Sequence, residues 1–416
     1  MKYAGAGRRV LGINPPVYDF AWFDLWALPL GLLEVLGACR DRGCDISLID
    51  CVHEARIGEL SHGRRKIGRS QAERPYSYMS VPRKFYRFGI DGGHLRNRLA
   101  QSSPDVVFVT SIMTYWYIGV WEVISAVHDV LPGVPVVLGG IYATLCPEHA
   151  EGSGADVIHS GPFPFPSSSL PIDLYDGLPF IPLITSRGCP LDCDYCASKI
   201  LSGGFLESSA DEIIRALDRM LAIAPARDAA FYDDALLWNR ENRFYPMCEH
   251  IRAFHPGMSL HSPNGLQVSC LDERCCHEMA GAGFRTIRLS YEGTDSRTRA
   301  AGSGKVREGD YERAVRNLTR AGYSAGEIET YVLAGLPGQS TDDVKRSIEF
   351  VKSLGCRVKL AEYSPIPGTR AFDEAAARNP EIISDPLLHN NTIYAQYTAG
   401  SPTPEELQAL KNMTRD

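Results

Sequence analysis

No apolar run in the sequence approaches the roughly 18 residues that a membrane-spanning helix needs. An excess of positive charge is also lacking. The net charge at pH 7 is −7, so the overall charge favours neither nucleic acid nor an anionic membrane. Residues 1–9 are basic, but Val10-Leu-Gly-Ile predicts a strand and not the apolar part of a secretion signal. Twelve cysteines without such a signal indicate a reducing, cytoplasmic environment and no disulfide framework.

Alternating strands and helices over residues 1–163 predict an α/β domain with a doubly wound parallel sheet. Its strands are predicted at residues 9–14, 45–50, 105–110, 134–138 and 155–158. Ligands of such sheets bind beyond the carboxyl ends of the strands. Residues 55–100 interrupt the pattern and are either an insertion near an active site or a disordered surface loop. The Pro/Ser-rich residues 164–179 predict a stiff linker.

A second series of strands and helices covers residues 180–375, and residues 376–416 form a C-terminal extension. Six strands are predicted, at residues 180–184, 229–232, 258–261, 286–290, 328–333 and 358–363. Each is followed by a helix or a turn, so the segment contains six βα units. Active sites of βα barrels lie at the carboxyl ends of the strands.

The loop after the first of these strands reads Thr185-Ser-Arg-Gly-Cys189-Pro-Leu-Asp-Cys193-Asp-Tyr-Cys196. Thiolates are soft ligands that suit iron–sulfur clusters, and three of them can hold three irons of a four-iron cluster. The fourth iron would then be open to another ligand. A zinc site is the alternative, but zinc usually takes a fourth Cys or His at suitable spacing. Outside residues 249–255, the first histidine after the loop is His261.

With Tyr195 directly before the last cysteine, the motif resembles that of the radical S-adenosylmethionine (SAM) superfamily. The resemblance implies a partial (βα)6 TIM barrel and a [4Fe–4S] cluster on Cys189, Cys193 and Cys196, with SAM on the open iron. It implies an electron donor of the flavodoxin or ferredoxin type, whose electron would cleave SAM to a 5′-deoxyadenosyl radical. That radical would abstract hydrogen from the substrate.

Further segments at the predicted strand ends resemble the SAM-binding elements of this superfamily, in the same order along the chain. The residues implied as SAM contacts are Tyr195, Asp233, Asp234, Asn264, Ser290, Glu292, Gly335 and Gly338. Asp233 and Asp234 stand where relatives bind the SAM amino group, although one of them could instead cap the next helix. Arg288 and Lys305 are either contacts of the SAM carboxylate or surface charges. His261 is interpreted as structural.

The strand ends of the first domain resemble those of the flavodoxin-like cobalamin-binding domain that precedes many radical SAM cores. The residues implied as cobalamin contacts are Asn14, Thr110, Ser111, Thr114, Tyr115, Gly139, Gly140 and Tyr142. The Asp-x-His-x-x-Gly motif that ligates cobalt in classical cobalamin domains is absent. The domain therefore either binds cobalamin without a protein histidine, as many relatives do, or has lost cobalamin and serves as a lid.

The resemblance implies a radical SAM enzyme that methylates an unactivated centre of a small molecule or natural product, with cobalamin as the methyl carrier. A cyclisation, rearrangement or oxidation without methyl transfer is the second possibility. A cobalamin or iron–sulfur sensor is disfavoured because the SAM-binding elements are complete and no DNA-binding segment is apparent. Cys39, Cys44 and Cys51 are interpreted as structural and not as ligands of a second cluster.

Overall fold

The computed structural model describes residues 5–164, 167, 169–394 and 400–415. Residues 165, 166 and 168 of the predicted linker and residues 395–399 and 416 of the extension lie outside this range. The chain forms two compact units: the first contains the chain up to Leu178 together with Glu381–Asn390, and the second contains Pro179–Pro380 and the chain from Asn391 onward. Within the described ranges, no helix combines the length and apolar character needed to cross a membrane.

The first unit is built on a five-stranded parallel sheet. Its strands are β1 (Arg9–Asn14), β2 (Asp45–Asp50), β3 (Val106–Val109), β4 (Val136–Leu138) and β5 (Val157–Ile158). They lie in the order 2-1-3-4-5, with every neighbouring pair parallel. This is the flavodoxin-like order, so the predicted fold class is confirmed. The order reverses between β1 and β3, and ligands of such sheets bind beyond the strand ends at that point.

Helices cover this sheet, and its central strands are therefore buried on both faces. They are α1 (Leu30–Arg40), α2 (Gly92–Ala100), α3 (Tyr117–Val130), α4 (Gly140–Leu145) and α5 (Pro147–Glu151). In β1, every residue from Val10 to Asn14 is buried. Helix α1 packs directly over Gly12, where a Cβ atom would lie 2.7 Å from Leu36 Cδ1. A side chain at this position would therefore force the Leu36 side chain to shift.

Residues 55–100 carry regular structure and do not form the disordered loop that the sequence left as an alternative. Arg69–Gln71 and Tyr86–Phe88 join Val17–Asp19 in a three-stranded antiparallel sheet, and Arg56–Ile57 pairs with Lys66–Ile67. A 3-10 turn at Tyr76–Tyr78 and helix α2 complete the segment. Its place near an active site stays a prediction.

The second unit is built on six parallel strands that neighbour one another in chain order. They are β6 (Ile181–Leu183), β7 (Asp228–Phe231), β8 (Ser259–His261), β9 (Phe284–Glu292), β10 (Ile328–Ala334) and β11 (Arg357–Glu362). The two-residue strand Leu266–Gln267 also pairs with β9. The sheet path runs from β6 to β11 and shows no pairing between these two ends among the described residues. An open sheet of this kind is compatible with the predicted partial barrel.

Helices follow the strands of the second unit, as a series of βα units requires. They are α6 (Ser198–Ser202), α7 (Ala210–Ile223), α8 (Phe244–Phe254), α9 (Glu273–Ala282), α10 (Ser296–Ala301), α11 (Asp310–Arg320), α12 (Thr341–Ser353) and α13 (Arg370–Arg378). A capping box of Ser209 and Glu212 opens α7. Near the C-terminus, α15 (Pro404–Met413) lies beside α12, where Lys352 Nζ donates to the Met413 carbonyl at 3.1 Å.

The extension is divided between the two units. Its segment Glu381–Asn390, which contains α14 (Glu381–Ser384), packs within the first unit. There the Tyr78 hydroxyl donates to the Leu387 carbonyl at 2.8 Å, and Asn390 Nδ2 donates to Asp19 Oδ1 at 3.1 Å. Both bonds span more than 300 residues of sequence, so no local pattern could have indicated them.

Candidate cofactor sites

The cysteine loop leaves the carboxyl end of β6. Cys189 and Cys193 are half-buried, Cys196 is exposed, and none of the three forms a disulfide. Burial raises the pKa of Cys189, and the charges of Cys193 and Cys196 raise it further, so the three thiols lie close together. Gly188 has a φ of +69°, and a Cβ there would lie 2.1 Å from the Gly204 carbonyl oxygen. Because glycine has no Cβ and adopts a positive φ readily, the backbone at Gly188 can turn here and lie close to the Gly204 carbonyl.

The chemistry of this donor set fits an iron–sulfur cluster. The loop offers three free thiols on one short segment, and among the described residues no histidine or fourth cysteine joins them in a metal-binding group. Three sulfur ligands are what a four-iron cluster with one open iron requires, whereas a structural zinc site takes four protein ligands. The loop therefore fits the cluster better than it fits zinc.

Asp233 binds the first residues of the cysteine loop through hydrogen bonds to its carboxylate. Its side chain is completely buried. Its Oδ1 atom accepts from Thr185 Oγ1 at 2.6 Å and from Ser186 Oγ at 2.7 Å, and the Thr185 backbone N–H lies 3.1 Å from both carboxylate oxygens. This differs from the predicted contact with the SAM amino group, because the carboxylate has no surface left for a ligand.

Arg243 completes this network and was not singled out from the sequence. Its guanidinium, 3% exposed, lies 3.3 Å from Asp233 Oδ1 and donates to three carbonyls, of which that of Trp238 is the nearest at 2.7 Å. The neighbouring Asp234 is exposed. Its charge is close enough to raise the pKa of Cys189, in addition to the larger effects of burial and of the other two thiols. Of the two aspartates, Asp233 is therefore bound to the first residues of the loop, and Asp234 is the one near the Cys189 thiol.

Glu292, Lys305 and Tyr195 form a compact group beside the cysteines. Lys305 Nζ donates to Glu292 Oε1 at 2.5 Å and lies 3.4 Å from the Tyr195 hydroxyl. Burial disfavours the Lys305 ammonium, but the charges of Glu292 and Cys193 outweigh it and raise the pKa of Lys305. Glu292 ends β9 with a φ of +70°, a strained backbone for a residue other than glycine. Such strain is concentrated at functional sites.

The structure places Arg288 and Lys305, whose roles the sequence left open, in different surroundings. Arg288 forms an ion pair with Glu329 at 2.8 Å on the neighbouring strand β10, whereas Lys305 stands beside the cysteine loop. His261 is fully buried, with Nδ1 2.9 Å from Thr286 Oγ1 and Nε2 2.9 Å from Asp228 Oδ1. This agrees with its interpretation as a structural histidine.

The other predicted SAM contacts lie in the turns after β8 and β10 and, for Ser290, near the end of strand β9. Asn264 Nδ2 donates to the Asp233 carbonyl at 3.0 Å, which ties the turn after β8 to the end of β7. Ser290 lies against Gly265, where a Cβ would be 1.9 Å from Ser290 Oγ. Gly335 and Gly338 both have positive φ. Gln339, which the sequence did not indicate, braces this glycine turn by accepting from the Gly335 N–H at 3.0 Å.

An arginine outside the sheet clamps the middle of the cysteine loop. Arg370 begins α13, and its guanidinium donates to Asp194 Oδ1 at 2.6 Å, to Asp192 Oδ2 at 3.0 Å and to the Asp192 carbonyl at 2.7 Å. The next N–H, that of Ala371, donates to the Asp194 carbonyl at 2.9 Å. Asp192 and Asp194 flank Cys193, so this clamp fixes the backbone on both sides of the central cysteine.

In the first unit, a pocket lies at the carboxyl ends of β1 and β3. It is lined by Asn14, Thr110 and Ser111, which the sequence predicted, and by Trp22, Val52 and Trp116, which it did not. Asn14 Nδ2 donates to Asp50 Oδ1 at 2.8 Å, which joins the ends of β1 and β2. The pocket lies at the point where the strand order reverses, as expected for a ligand site in this fold.

The glycines at the start of α4 differ from each other. Gly140 has a φ of +88°, and a Cβ there would lie 2.6 Å from the Ser111 carbonyl oxygen and 2.8 Å from Thr110 Oγ1. The residue is thus needed for α4 to approach the end of β3. The Cβ of a side chain at Gly139 would meet nothing nearer than 3.9 Å.

Three of the predicted cobalamin contacts are directed into the first unit's own interior. Tyr142 is fully buried, and its hydroxyl lies 2.6 Å from His149 Nδ1. Thr114 is buried with Oγ1 2.9 Å from His389 Nδ1, and Tyr115 is also buried. The structure therefore brings Asn14, Thr110 and Ser111 together at the pocket and places these three residues in packing roles.

Two observations test whether the pocket fits cobalamin. It lies where flavodoxin-like sheets bind their ligands, and it combines polar strand ends with aromatic walls. Moreover, the indole nitrogen of Trp22 is buried and has no hydrogen-bond partner among the described residues. A buried donor of this kind is usually satisfied, so the pocket suits a ligand that carries hydrogen-bond acceptors.

Two family models match the chain. The radical SAM superfamily matches residues 183–351, and the B12-binding domain matches residues 91–166. The chain therefore contains a radical SAM domain and a B12-binding domain, as the sequence motifs predicted. The cofactors that belong to these domains are a [4Fe–4S] cluster, SAM and cobalamin.

Among curated proteins, an uncharacterized methyltransferase of Pyrococcus horikoshii is 26% identical over 224 residues, which cover 52% of this chain and 47% of that protein. The chain thus matches about half the length of this relative. Among solved structures, the radical SAM methyltransferase TsrM from Kitasatospora setae, with tryptophan substrate and a SAM analogue bound, has a TM-score of 0.65 at 15% identity. That match covers 97% of this chain and 89% of TsrM.

A second TsrM structure, with cobalamin and a [4Fe–4S] cluster bound, has a TM-score of 0.61 at 15% identity. It covers 89% of this chain and 75% of that chain. At this level of identity the two likenesses establish the fold.

Proposed function

We propose that the chain is a cobalamin-dependent radical SAM methyltransferase that acts on an unactivated centre of a small molecule or natural product. When bound, the cluster supplies the electron for reductive cleavage of SAM, and cobalamin supplies a methyl carrier. The observation that carries the proposal is the cysteine loop at the end of β6, with Lys305 and Glu292 beside it, on a chain that also contains a B12-binding domain. The methyltransferase relatives support methyl transfer over the other radical outcomes.

The chain's own residues divide the work of binding. Cys189, Cys193 and Cys196 would hold three irons, and the exposed Asp234 would accept from the SAM ammonium. Lys305 would hold the SAM carboxylate, while Glu292 would accept from the ribose hydroxyls.

The buried position of the Lys305–Glu292 pair, whose side chains are 13% and 11% exposed, strengthens these contacts because little water competes for them. The turn at Gly335 and Gly338 would leave room for adenine. In the first unit, Asn14, Thr110 and Ser111 would line the cobalamin site.

The test is anaerobic reconstitution with iron and sulfide, followed by reduction in the presence of methyl-labelled SAM and cobalamin. We expect about four irons per chain and formation of 5′-deoxyadenosine. A variant with Cys189, Cys193 and Cys196 changed to Ala is the control and should give neither. Intact SAM after reduction of a fully loaded cluster would refute radical chemistry. With a substrate present, a product that carries no methyl label would instead favour cyclisation, rearrangement or oxidation.

The proposal includes an electron donor of the flavodoxin or ferredoxin type, because reductive cleavage consumes an electron that the chain does not itself supply. A reduced flavodoxin should replace the chemical reductant in the same assay. The substrate can be sought by following transfer of the labelled methyl group into candidate small molecules, with tryptophan as one of them because TsrM binds it.

A further inference from the structure

The tryptophans of the first unit differ in how their indole N–H groups are satisfied. Trp26 Nε1 donates to the His62 carbonyl at 2.8 Å, Trp116 Nε1 to Asp19 Oδ2 at 2.8 Å, and Trp121 Nε1 to the Tyr142 hydroxyl at 3.2 Å. Trp22 Nε1 is buried too, yet it has no acceptor within the described part of the chain. Buried tryptophan N–H groups usually find a partner, so this donor calls for an explanation.

Trp22 is held in place by packing. Its ring lies 4.9 Å from that of Trp116, centroid to centroid, and both rings pack against the small core cluster of Val17, Val52 and Phe88. Trp116 is fixed in turn by its bond to Asp19, which also accepts from Asn390. The position of the Trp22 ring is thus set by its neighbours. Its unpaired N–H is a consequence of that packing and not of a loose side chain.

Trp22 also lines the pocket at the ends of β1 and β3. Two polar side chains of that wall are already engaged: Asn14 Nδ2 donates to Asp50, and Ser111 Oγ donates to the Met113 carbonyl at 3.1 Å. The Trp22 N–H is a buried donor that lacks a partner among the described residues. Leaving such a donor unpaired costs free energy, and a ligand that supplies an acceptor removes that cost.

We propose that Trp22 is a cobalamin contact whose indole N–H donates to a carbonyl or phosphate oxygen of the bound cofactor. The proposal rests on the cobalamin part of the proposed function. It adds a residue that neither the motifs nor the family models assign. It also gives the Trp22–Trp116 pair a role, since the ring of Trp116 holds the donor of Trp22 in position.

The test compares the affinity for hydroxocobalamin of the wild type, W22F and W116F, by absorbance titration of the reconstituted protein. W22F removes the free N–H, and we expect binding to weaken about fivefold or more, as for loss of one hydrogen bond. W121F is the matched control, because it makes the same change away from the pocket, at an N–H that is already paired with the Tyr142 hydroxyl, and its affinity should match the wild type. W116F, whose lost ring held Trp22 in position, should weaken binding no more than W22F does. W22H at pH 8 restores a neutral ring N–H and should recover part of the affinity.

Thermal unfolding without cobalamin provides a second readout. Because the Trp22 N–H has no internal partner, W22F should lower the melting temperature of the cobalamin-free protein less than W116F does. The stabilisation that cobalamin adds should be smaller in W22F than in wild type. Equal affinity of W22F and wild type, or a larger loss in W116F, would overturn the assignment of Trp22. A wild-type protein that binds no cobalamin would refute the cofactor proposal itself.

Discussion

Substitution of Asp233 should lower the stability of the protein, whereas substitution of its neighbour Asp234 should weaken SAM binding. Asp233 is completely buried and pairs with Arg243, which is 3% exposed, whereas Asp234 is exposed at the cysteine loop. Replacing Asp233 with Ala removes the fully buried partner of the Arg243 charge, which keeps only the partly exposed Glu207 at 3.3 Å, and leaves the Thr185 N–H without its acceptor. Breaking a buried pair by removing one member costs about 3–5 kcal/mol.

The contacts also predict a graded series. Oδ1 of Asp233 accepts from Thr185 Oγ1, Ser186 Oγ and Arg243, while Oδ2 has only the shared Thr185 N–H. In D233N the amide oxygen can replace Oδ1, so the geometry survives and mainly the charge is lost. We therefore expect D233N to cost about 1.5–3 kcal/mol, the contribution of a hydrogen bond to a charged group. D233A should cost about 4 kcal/mol, or about 10 °C in the melting temperature of a domain of this size.

The assay is calorimetric unfolding of the cluster-free protein, with SAM affinity of the reconstituted protein measured in parallel. D233A should lower the melting transition of the cluster-free protein. It should also make the reconstituted protein release iron sooner, because Thr185 and Ser186 begin the cysteine loop. D234N should leave the transition unchanged and weaken SAM binding about tenfold or more. If D234N destabilises the protein as much as D233A does, or if SAM binding follows Asp233 and not Asp234, the division of roles is incorrect.

Three further predictions concern other parts of the two units. R370Q should release cluster iron to a chelator several times faster than wild type, with R370K intermediate, whereas R346Q, which breaks an exposed pair within α12, should match the wild type. K305M should weaken SAM binding by about tenfold, since it removes a cation next to the cysteine loop and leaves Glu292 buried without its partner; unchanged binding would exclude Lys305 as the carboxylate contact. Burial lowers the pKa of His389 from 6.5 to about 4. At a pH between these two values, His389 is therefore mostly protonated in the unfolded chain and mostly neutral in the folded chain. Stability of the first unit should therefore fall by up to about 1.4 kcal/mol per pH unit as the pH drops below 6.5, and H389Q should reduce that slope in pH-dependent unfolding.

The strands and their order could largely be anticipated because the signals are local. Val10 to Ile13 and Val106 to Val109 are short apolar runs whose residues are buried on both faces, as parallel strands require. The cysteine loop was equally accessible, since the three ligands lie within eight residues of one another. Cofactors with such compact motifs can be inferred from the order of residues alone.

The residues that position these motifs could not be found in this way. Arg370 clamps the cysteine loop across more than 170 residues, and His389 reaches Thr114 across 275 residues. Neither carries a local pattern, because an exposed arginine at a helix start and a histidine in a C-terminal segment are common in any sequence. Tyr142 shows the converse error. It follows two glycines at a strand end, which suggests a ligand site, but the helix that begins there turns its ring into the core.

Asp233 and Asp234 show where the limit lies. Two consecutive carboxylates follow β7, and the sequence left open that one of them caps the next helix while the other binds SAM. Which one does which depends on Arg243, because a buried guanidinium ten residues later in the chain captures Asp233 and leaves Asp234 to face the cysteines. Assigning a site residue thus required its partner, and only the fold supplies partners at such a distance.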